Sequence, residues 1–216
     1  MLGKLKSWFF KFFAGDFWRF RHLIDKNWTS GYASAAALSH PHRAKLLGVM
    51  GEFEPLNSVL EVGCATGPNL ILLAQKYPEA EVYGLEVSRE AVKVGKREVE
   101  KLGLKNMHLS AGNAGDLSRF ADKSVDVVFS DACLIYINEN KIEAALRGML
   151  RVAKKGVVIC ELTSEVETTD GKSQFHNYRK LFNEIDANLK VEEYGLEDIV
   201  WTDKWQKFGK IIKITI

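Results

Sequence analysis

The 216-residue sequence contains few cysteines, no long apolar run and little net charge. Its cysteines are Cys64, Cys133 and Cys160; they lie far apart, and none forms a CxxC pair or a Cys/His cluster. This spacing argues against a disulfide framework and against a metal site, and it predicts a reducing, cytoplasmic location. No run reaches the ~20 apolar residues of a membrane-spanning helix. Because Lys11 interrupts the N-terminal aromatic run, we do not expect a signal peptide.

The net charge is only +2, which is too small to predict a nucleic-acid partner. The charge is unevenly distributed, since residues 1–26 contain six Lys or Arg and two Asp, whereas the remaining residues contain 24 basic and 26 acidic groups. Apolar residues make up 46% of the chain and charged residues 27%, which is typical of a globular domain. We therefore predict one domain with a basic N-terminal extension and no nucleic-acid binding.

The basic segment 1–26 also contains many aromatic residues at helical spacing. Such an amphipathic helix can lie in a membrane interface, with cations toward anionic lipid. Alternatively, it packs on its own domain or on the second subunit of a homodimer and covers a ligand. Residues 27–56 continue as a helical lead-in, so residues 1–56 form a candidate lid, in which Trp28 and Tyr32 either close over a ligand or pack in the core. The apolar face of the first helix contains Leu2, Leu5, Phe9, Phe12, Phe13 and Phe20.

From Ser58 onward, strand-like apolar runs alternate with amphipathic helical segments. This alternation predicts an α/β fold in which helices cover both faces of a parallel sheet. After a helix around 174–188, two further strand candidates (189–197 and 208–216) are joined by a loop, and they should pair as an antiparallel hairpin at the sheet edge. The earlier strands are expected at 58–62, 81–86, 106–110, 125–130 and 156–162, and the helices near 67–77, 88–103, 115–121 and 139–153.

The stretch Val59-Leu60-Glu61-Val62-Gly63-Cys64-Ala65-Thr66-Gly67 predicts a buried strand that runs into a glycine-containing turn. Gly63 and Gly67 permit backbone conformations that a side chain would forbid, and they let the main chain approach a ligand. Open α/β sheets bind small molecules at this end of their strands. The nicotinamide fingerprint G-x-G-x-x-G does not fit, because Ala65 stands at its second glycine, and no Gly-Lys-Ser/Thr follows as in a P-loop.

Polar residues follow the next strands in the same way. Glu86, at the end of the second strand, could accept hydrogen bonds from vicinal ribose hydroxyls, although an isolated acid here is equally typical of a helix N-terminus. Asn113 and Ala114 follow the third strand, and the Asn113 carbonyl can accept a hydrogen bond. The fourth strand leads through Asp131 into residues 132–137.

Leu60–Gly67 resembles the first motif of class I S-adenosylmethionine-dependent methyltransferases, in which an acid, here Glu61, precedes a glycine-rich turn. The segments around Glu86, Asn113 and 125–137 resemble the later motifs and follow in the family's order. The resemblance implies a Rossmann-like fold of seven mostly parallel strands over residues 57–216, with S-adenosylmethionine as cofactor. Two departures are Ala65, which replaces a glycine, and Asn113, which replaces the usual Asp and weakens the adenine assignment. The implied cofactor-binding residues are Glu61, Gly63, Cys64, Ala65, Gly67, Asn69, Glu86, Val87, Asn113, Ala114, Asp131 and Ala132.

The resemblance says less about the methyl acceptor. Ser130–Cys133 lacks the Asn/Asp-Pro-Pro-Tyr motif of many enzymes that methylate nucleobase or glutamine amines, there is no Pro-Cys nucleophile, and Asp131 alone does not form a metal-binding acid cluster. An O or N atom of a small-molecule or lipid-linked, amphiphilic acceptor remains. The alternatives from other classes are a non-catalytic cofactor-binding partner and a membrane-docking regulatory protein on the same fold.

Three histidines are candidate catalytic residues. His40 and His42 precede the first strand, and His176 follows the fifth. An imidazole titrates near neutral pH and can accept the proton of an acceptor hydroxyl or ammonium group. The alternative is that these residues are helix caps or solvated surface side chains.

Overall fold

The computed structural model describes Trp18, Asp25, residues 28–32 and residues 35–216. The predicted basic helix 1–26 therefore lies outside the described residues except at Trp18 and Asp25, as does the side chain of Trp28. Three short helices form the described lead-in, and the third starts at a proline, which suits the first turn of a helix. They are α1 (Trp28–Tyr32), α2 (Ala35–Leu38) and α3 (Pro41–Gly51).

The remaining helices alternate with strands, as predicted. Ser88 begins one of them by accepting a hydrogen bond from the Ala91 amide, and Gly103 ends it in a left-handed conformation. The helices are α4 (Pro68–Lys76), α5 (Arg89–Leu102), α6 (Glu139–Val152), α7 (Tyr178–Ile185) and α8 (Asp203–Phe208), with a 3₁₀ turn at Leu134–Tyr136.

Seven strands form one sheet in the order β3-β2-β1-β4-β5-β9-β8, and β6 pairs with β7 in a separate hairpin. The first five strands of this order are parallel, and β9 is antiparallel to both β5 and β8. The predicted fold class is confirmed. The strands are β1 (Ser58–Val62), β2 (Glu81–Glu86), β3 (Met107–Ala111), β4 (Val125–Asp131), β5 (Ala153–Leu162), β6 (Thr168–Thr169), β7 (Gln174–Phe175), β8 (Lys190–Gly195) and β9 (Gly209–Thr215).

Two apolar layers cover the two faces of the sheet. Successive strand residues point to opposite faces, so Val59 packs in the layer that includes residues of α3, α4 and α5, whereas Leu60 packs with residues of α6 and α7. These central strands are buried on both faces, as is typical of parallel sheets. Because β1 lies between β2 and β4, the chain reverses direction across the sheet beside β1, and ligands of open α/β sheets bind at such a switch point.

Three predicted elements were wrong. Residues 115–121 form turns rather than a helix, because the Asn113 side chain accepts from the Gly115 amide and Asp116 accepts from the Ser118 amide. The helix predicted around 174–188 begins only at Tyr178, since Gln174–Phe175 pairs in β7 and Asn177 caps the helix. The last two strands are joined through α8 rather than by a loop alone. Among the described residues, no helix is long and apolar enough to cross a membrane.

Candidate active site

A cavity of about 350 Å³ opens at the carboxyl ends of the parallel strands. One half is lined by the loops that follow β1, β2 and β3. The other half is lined by the segment after β4, by lead-in residues and by the region around α8. The lining includes Trp18, Tyr32, His42, Arg43, Gly63, Ala65, Glu86, Val87, Gly112, Asn113, Ala114, Asp131, Ala132, Cys133, Ile135, Tyr136, Ile137, Ser173, Trp201, Lys204 and Trp205.

The turn after β1 is held close to β2 by its backbone. The Gly63 and Cys64 amides both donate to the Leu85 carbonyl, at 2.7 and 3.1 Å. Gly63 and Gly67 have φ angles of 76° and 87°, which favour glycine. A Cβ on Gly63 would lie 2.1 Å from the Cys133 sulfur. The first glycine is thus required both by its conformation and by its contact with the segment after β4.

Glu86 lies beneath this turn with its side chain buried and its carboxylate at the cavity. Its Oε2 accepts from the Ala65 amide at 3.0 Å, and its Oε1 accepts from the Ser88 amide at 2.8 Å. Burial raises the pKa of Glu86, although these amides favour the charged form. Each oxygen retains a lone pair, so the carboxylate can accept further hydrogen bonds from a ligand's hydroxyls.

Glu61 is buried one layer below the cavity. Its Oε1 accepts from the Asn69 side-chain amide at 2.7 Å, whereas Oε2 has no hydrogen-bond partner among the described residues. Burial raises the pKa of Glu61 to about 8. A buried carboxyl oxygen without a partner is unusual, and it fits a site that a positively charged ligand completes.

Asp131 lies at the end of β4, and its Oδ2 accepts three hydrogen bonds. The donors are His42 Nε2 at 3.0 Å, Arg43 Nη1 at 3.1 Å and Asn69 Nδ2 at 3.1 Å. Burial opposes ionisation, but the hydrogen bond from His42 and the nearby charges of His42 and Arg43 outweigh it and hold the Asp131 pKa at about 2. Asp131 is therefore an anion at neutral pH, and Asn69 joins it to Glu61.

Because an ionised carboxylate can only accept, Asp131 assigns the Nε2 proton to His42. His42 Nδ1 then lies 2.6 Å from His40 Nδ1, so a single proton bridges the two rings. Burial lowers the pKa of His40, and the charges of His42 and Arg43 lower it further. The result is an Asp–His–His chain in which the second histidine stands outside the cavity lining.

Aromatic side chains dominate the half of the cavity beyond β4. The Trp201 ring stacks on Trp205, with centroids 4.5 Å apart and planes 8° apart, and it lies 4.3 Å from the His42 ring. The Trp18 ring lies 4.9 Å from the Tyr136 ring. The stacked pair therefore lies directly beside the Asp131–His42 pair, and a second, tilted aromatic pair lines the same cavity.

His176 is buried behind the segment after β4. Its Nε2 donates to the Ile137 carbonyl at 2.9 Å, and its ring packs edge-on against Tyr178. The side chain is not part of the cavity lining. Its catalytic role stays a prediction, and its observed contact is with the backbone.

The structure brings most of the predicted site residues to the cavity and places a second group behind it. Sequence reasoning assigned no site role to Trp201, Lys204 or Trp205, which line the cavity. The W-x₃-W spacing of Trp201 and Trp205 is a helical signal, but nothing in it indicates where the helix docks. Predicted residues in the lining are His42, Gly63, Ala65, Glu86, Val87, Asn113, Ala114, Asp131 and Ala132, and those outside it are His40, Glu61, Cys64, Gly67, Asn69 and His176.

The fold, the glycine turn and the acids behind it define a nucleotide-type cofactor site of the Rossmann-like class. A family model described as "Methyltransferase domain" matches residues 54–213, so the chain belongs to that family. Its fold and motifs are those of the class I S-adenosylmethionine-dependent methyltransferases. The predicted family and its cofactor are thereby confirmed.

The demethylmenaquinone methyltransferase of Geobacillus kaustophilus (strain HTA426) is 33% identical over 144 residues, which are 66% of this chain and 59% of that protein. The chain thus spans about three-fifths of the length of this curated relative. Magnesium protoporphyrin IX methyltransferase from Synechocystis PCC 6803, solved with its bound cofactor, superposes with a TM-score of 0.68 at 15% identity over 95% of this chain and 96% of that one. A methyltransferase from Aquifex aeolicus gives 0.61 at 22% identity, over 83% and 95%. These likenesses to solved structures show the fold.

Proposed function

We propose that the chain methylates a hydroxylated aromatic ring of the hydroquinone class, and that the new methyl group goes to a ring carbon. The observation that carries the proposal is the set of aromatic side chains in the acceptor half of the cavity, namely the stacked Trp201–Trp205 pair beside His42, together with Tyr136. The relative from Geobacillus is named for methylating a demethylated menaquinone, which is an acceptor of this kind.

The aromatic half of the cavity suits a flat ring. Offset-stacked and edge-on aromatic contacts contribute about 0.5–1.5 kcal/mol beyond the area that they bury. The cavity can also hold a polar ring substituent, since Lys204 lines it, and the Lys204 Nζ is 2.8 Å from Asp170.

The donor half fits S-adenosylmethionine through its acids and its glycine turn. Glu86 would accept from the ribose hydroxyls, and Gly63 and Ala65 would allow close backbone approach. Glu61, whose pKa of about 8 keeps it mostly protonated at neutral pH, would have to ionise to compensate positive charge. When bound, the cofactor supplies an activated methyl group on a sulfonium. The protein's task is to align donor and acceptor and to manage the acceptor's proton.

His42 is the group that manages this proton. Asp131 holds the ring by accepting from Nε2. Because His42 Nδ1 lies against His40 Nδ1, the acceptor hydroxyl has to take the place of His40 beside Nδ1 before that nitrogen can accept its proton. Loss of the hydroxyl proton makes the ring carbon electron-rich. That carbon forms the new bond to the methyl carbon as the methyl–sulfur bond breaks and its electrons stay on sulfur. The same carbon then gives its own proton to water and the ring becomes aromatic again, while the hydroxyl oxygen takes back the proton held by His42.

The test is methyl transfer from labelled S-adenosylmethionine to 1,4-dihydroxynaphthalene under reducing conditions. We expect a ring-methylated product that keeps both hydroxyl groups, identified by mass spectrometry. The oxidised quinone should give no product, because it lacks the electron-rich carbon. Methylation of a hydroxyl oxygen, which would match the O-acceptor expected from the sequence, would overturn carbon transfer but not the acceptor class. Transfer only to amines would overturn both.

A variant separates proton removal from positioning. His42→Gln should lower the single-turnover rate by about 10²–10⁴-fold while donor affinity stays within about twofold. His108→Gln is the matched control, because His108 on the edge strand β3 is half exposed and pairs with Glu81 of β2. A wild-type rate in His42→Gln would remove His42 from the mechanism. Membrane contact through residues 1–26, lipid linkage of the acceptor and a homodimer stay predictions.

A further inference from the structure

The segment Cys133–Ile137, which we call the acceptor loop, lines the cavity through Cys133 and Ile135–Ile137. It follows β4 directly and contains the 3₁₀ turn. Two backbone hydrogen bonds between residues three apart close the turn: the Tyr136 amide donates to the Cys133 carbonyl, and the Ile137 amide donates to the Leu134 carbonyl. Such a short turn is weak by itself, so its position depends on what holds its free amides.

Those amides point at one buried carboxylate, Glu161 on β5. Glu161 Oε1 accepts from the Cys133 and Leu134 amides, both at 3.0 Å, and Oε2 accepts from the Ile135 amide at 3.3 Å. The hydroxyl of Ser130 donates to Oε1 at 2.8 Å. Three successive amides around one carboxyl group form a backbone nest, and hydrogen bonds to it are about twice as strong when it is ionised. Burial raises the pKa of Glu161 to about 7, so the group is partly ionised at neutral pH.

The other end of the acceptor loop is held by His176. Its Nε2 donates to the Ile137 carbonyl. Its own backbone carbonyl accepts at 2.8 Å from the hydroxyl of Thr163, which lies two residues after Glu161. Both groups are fully buried, and neither lines the cavity. Their contacts with the cavity therefore pass only through the backbone of the loop.

We propose that Glu161 and His176 are positioning residues that fix the acceptor loop at its two ends and thereby set acceptor binding without contributing to donor binding. The inference rests on the methyltransferase reaction, not on the hydroquinone acceptor proposed above. It explains why a fully buried Glu occurs in the otherwise apolar run GVVICEL, and it gives His176 a role that needs no proton transfer.

The first test needs no acceptor. Hydrogen exchange of the amides in 133–137 is compared in the wild type and Glu161→Gln. The glutamine cannot accept from all three amides, because one carboxylate oxygen is replaced by an amide NH₂ group that only donates. We expect exchange about 10- to 100-fold faster, the scale of losing a bond to a charged group, with calorimetric S-adenosylmethionine affinity within about twofold. Ser130→Ala removes the hydroxyl donor but keeps the three amides, so it should change exchange far less. Glu143→Gln, at an exposed ion pair on α6, is the neutral control.

The second test uses turnover of 1,4-dihydroxynaphthalene. His176→Leu removes the donor to Ile137, whereas His176→Gln keeps an amide N–H near the position of Nε2. We expect His176→Leu to raise the acceptor KM about tenfold. His176→Gln should have a KM within about threefold of the wild-type value. If both variants lose kcat with unchanged KM, His176 is a base and the positioning role is overturned.

Exchange at wild-type rates in a folded Glu161→Gln would overturn the proposal, and so would a loss of donor affinity equal to the loss of acceptor affinity. If Glu161→Gln does not fold, the His176 pair and Ser130→Ala decide the question by the same measurements. A lack of turnover in the wild type would count against the hydroquinone acceptor, while the exchange result would still test the loop.

Discussion

The two halves of the cavity are built in different ways. The donor half consists of consecutive loops after β1, β2 and β3. In its key contacts, backbone amides of the turn after β1 donate to the Leu85 carbonyl and to the Glu86 carboxylate. The acceptor half is assembled from side chains that lie far apart in the chain, such as Tyr32, His42, Tyr136 and Trp201. A cofactor shared by a whole family can be bound by main chain, whereas an individual acceptor is recognised by side chains that one tertiary structure brings together.

The two halves meet at Gly63, and Gly63→Val should have the largest effect. A side chain there would collide with Cys133 and would be forced into a left-handed conformation that a β-branched residue strongly disfavours. Strain and overpacking of about 1–3 kcal/mol each, together about 2–6 kcal/mol, predict donor affinity at least ~30-fold weaker. Calorimetry with S-adenosylmethionine measures this. Gly148→Ala on α6, where the nearest atom would be 3.7 Å away, is the folded control, and wild-type affinity in Gly63→Val would refute the account.

Trp201→Leu should separate the halves. Losing the stacking on Trp205 and the contact with His42 should raise the KM for 1,4-dihydroxynaphthalene about tenfold. Donor affinity should stay within about twofold, because Trp201 belongs to the acceptor half. Trp201→Phe keeps an aromatic ring, so its KM should lie between those of the wild type and Trp201→Leu. An equal loss of donor affinity would show that the halves are not independent.

Glu61→Gln should change the pH dependence of stability. The Glu61 pKa is about 8 in the folded chain against 4.5 for the free group, so its contribution is full below pH ~4.5 and is lost as pH rises toward ~8. One group changes the free energy of unfolding by at most about 1.4 kcal/mol per pH unit in this window. Urea unfolding between pH ~5 and ~8 should show a shallower decline in the variant.

Two other acids provide internal comparisons for that measurement. Burial raises the pKa of Glu161 to about 7, so this residue also makes the free energy of unfolding fall as the pH rises. That fall is present in both the wild type and Glu61→Gln. Asp131, with its pKa near 2, contributes stability above pH ~3.8 and loses it only as the pH falls through ~2, so it adds no slope here. Glu143→Gln should parallel the wild type. Identical slopes in the wild type and Glu61→Gln would mean that Glu61 is ionised throughout.

The acids behind the sheet show where sequence reasoning reached its limit. Glu61 and Glu86 were predicted to bind cofactor because each ends a strand beside a glycine turn. Glu161 has the same surroundings in sequence, an acid in an apolar strand, but no turn motif marks it. Its partners are amides of a loop 26 to 28 residues earlier. Such a contact between neighbouring parallel strands leaves no local pattern.

The sequence by itself determined the order of strands and helices, the glycine turn and the family, because alternating burial and backbone conformation are local properties of the chain. It also placed the acids at the strand ends. Tertiary structure alone decided that His42 meets Asp131, that the rings of Trp201 and Trp205 reach the cavity, and that His176 donates to the Ile137 carbonyl. These pairings join residues up to 159 positions apart, as between His42 and Trp201. They depend on how helices dock on the completed sheet, which spacing along a chain does not encode.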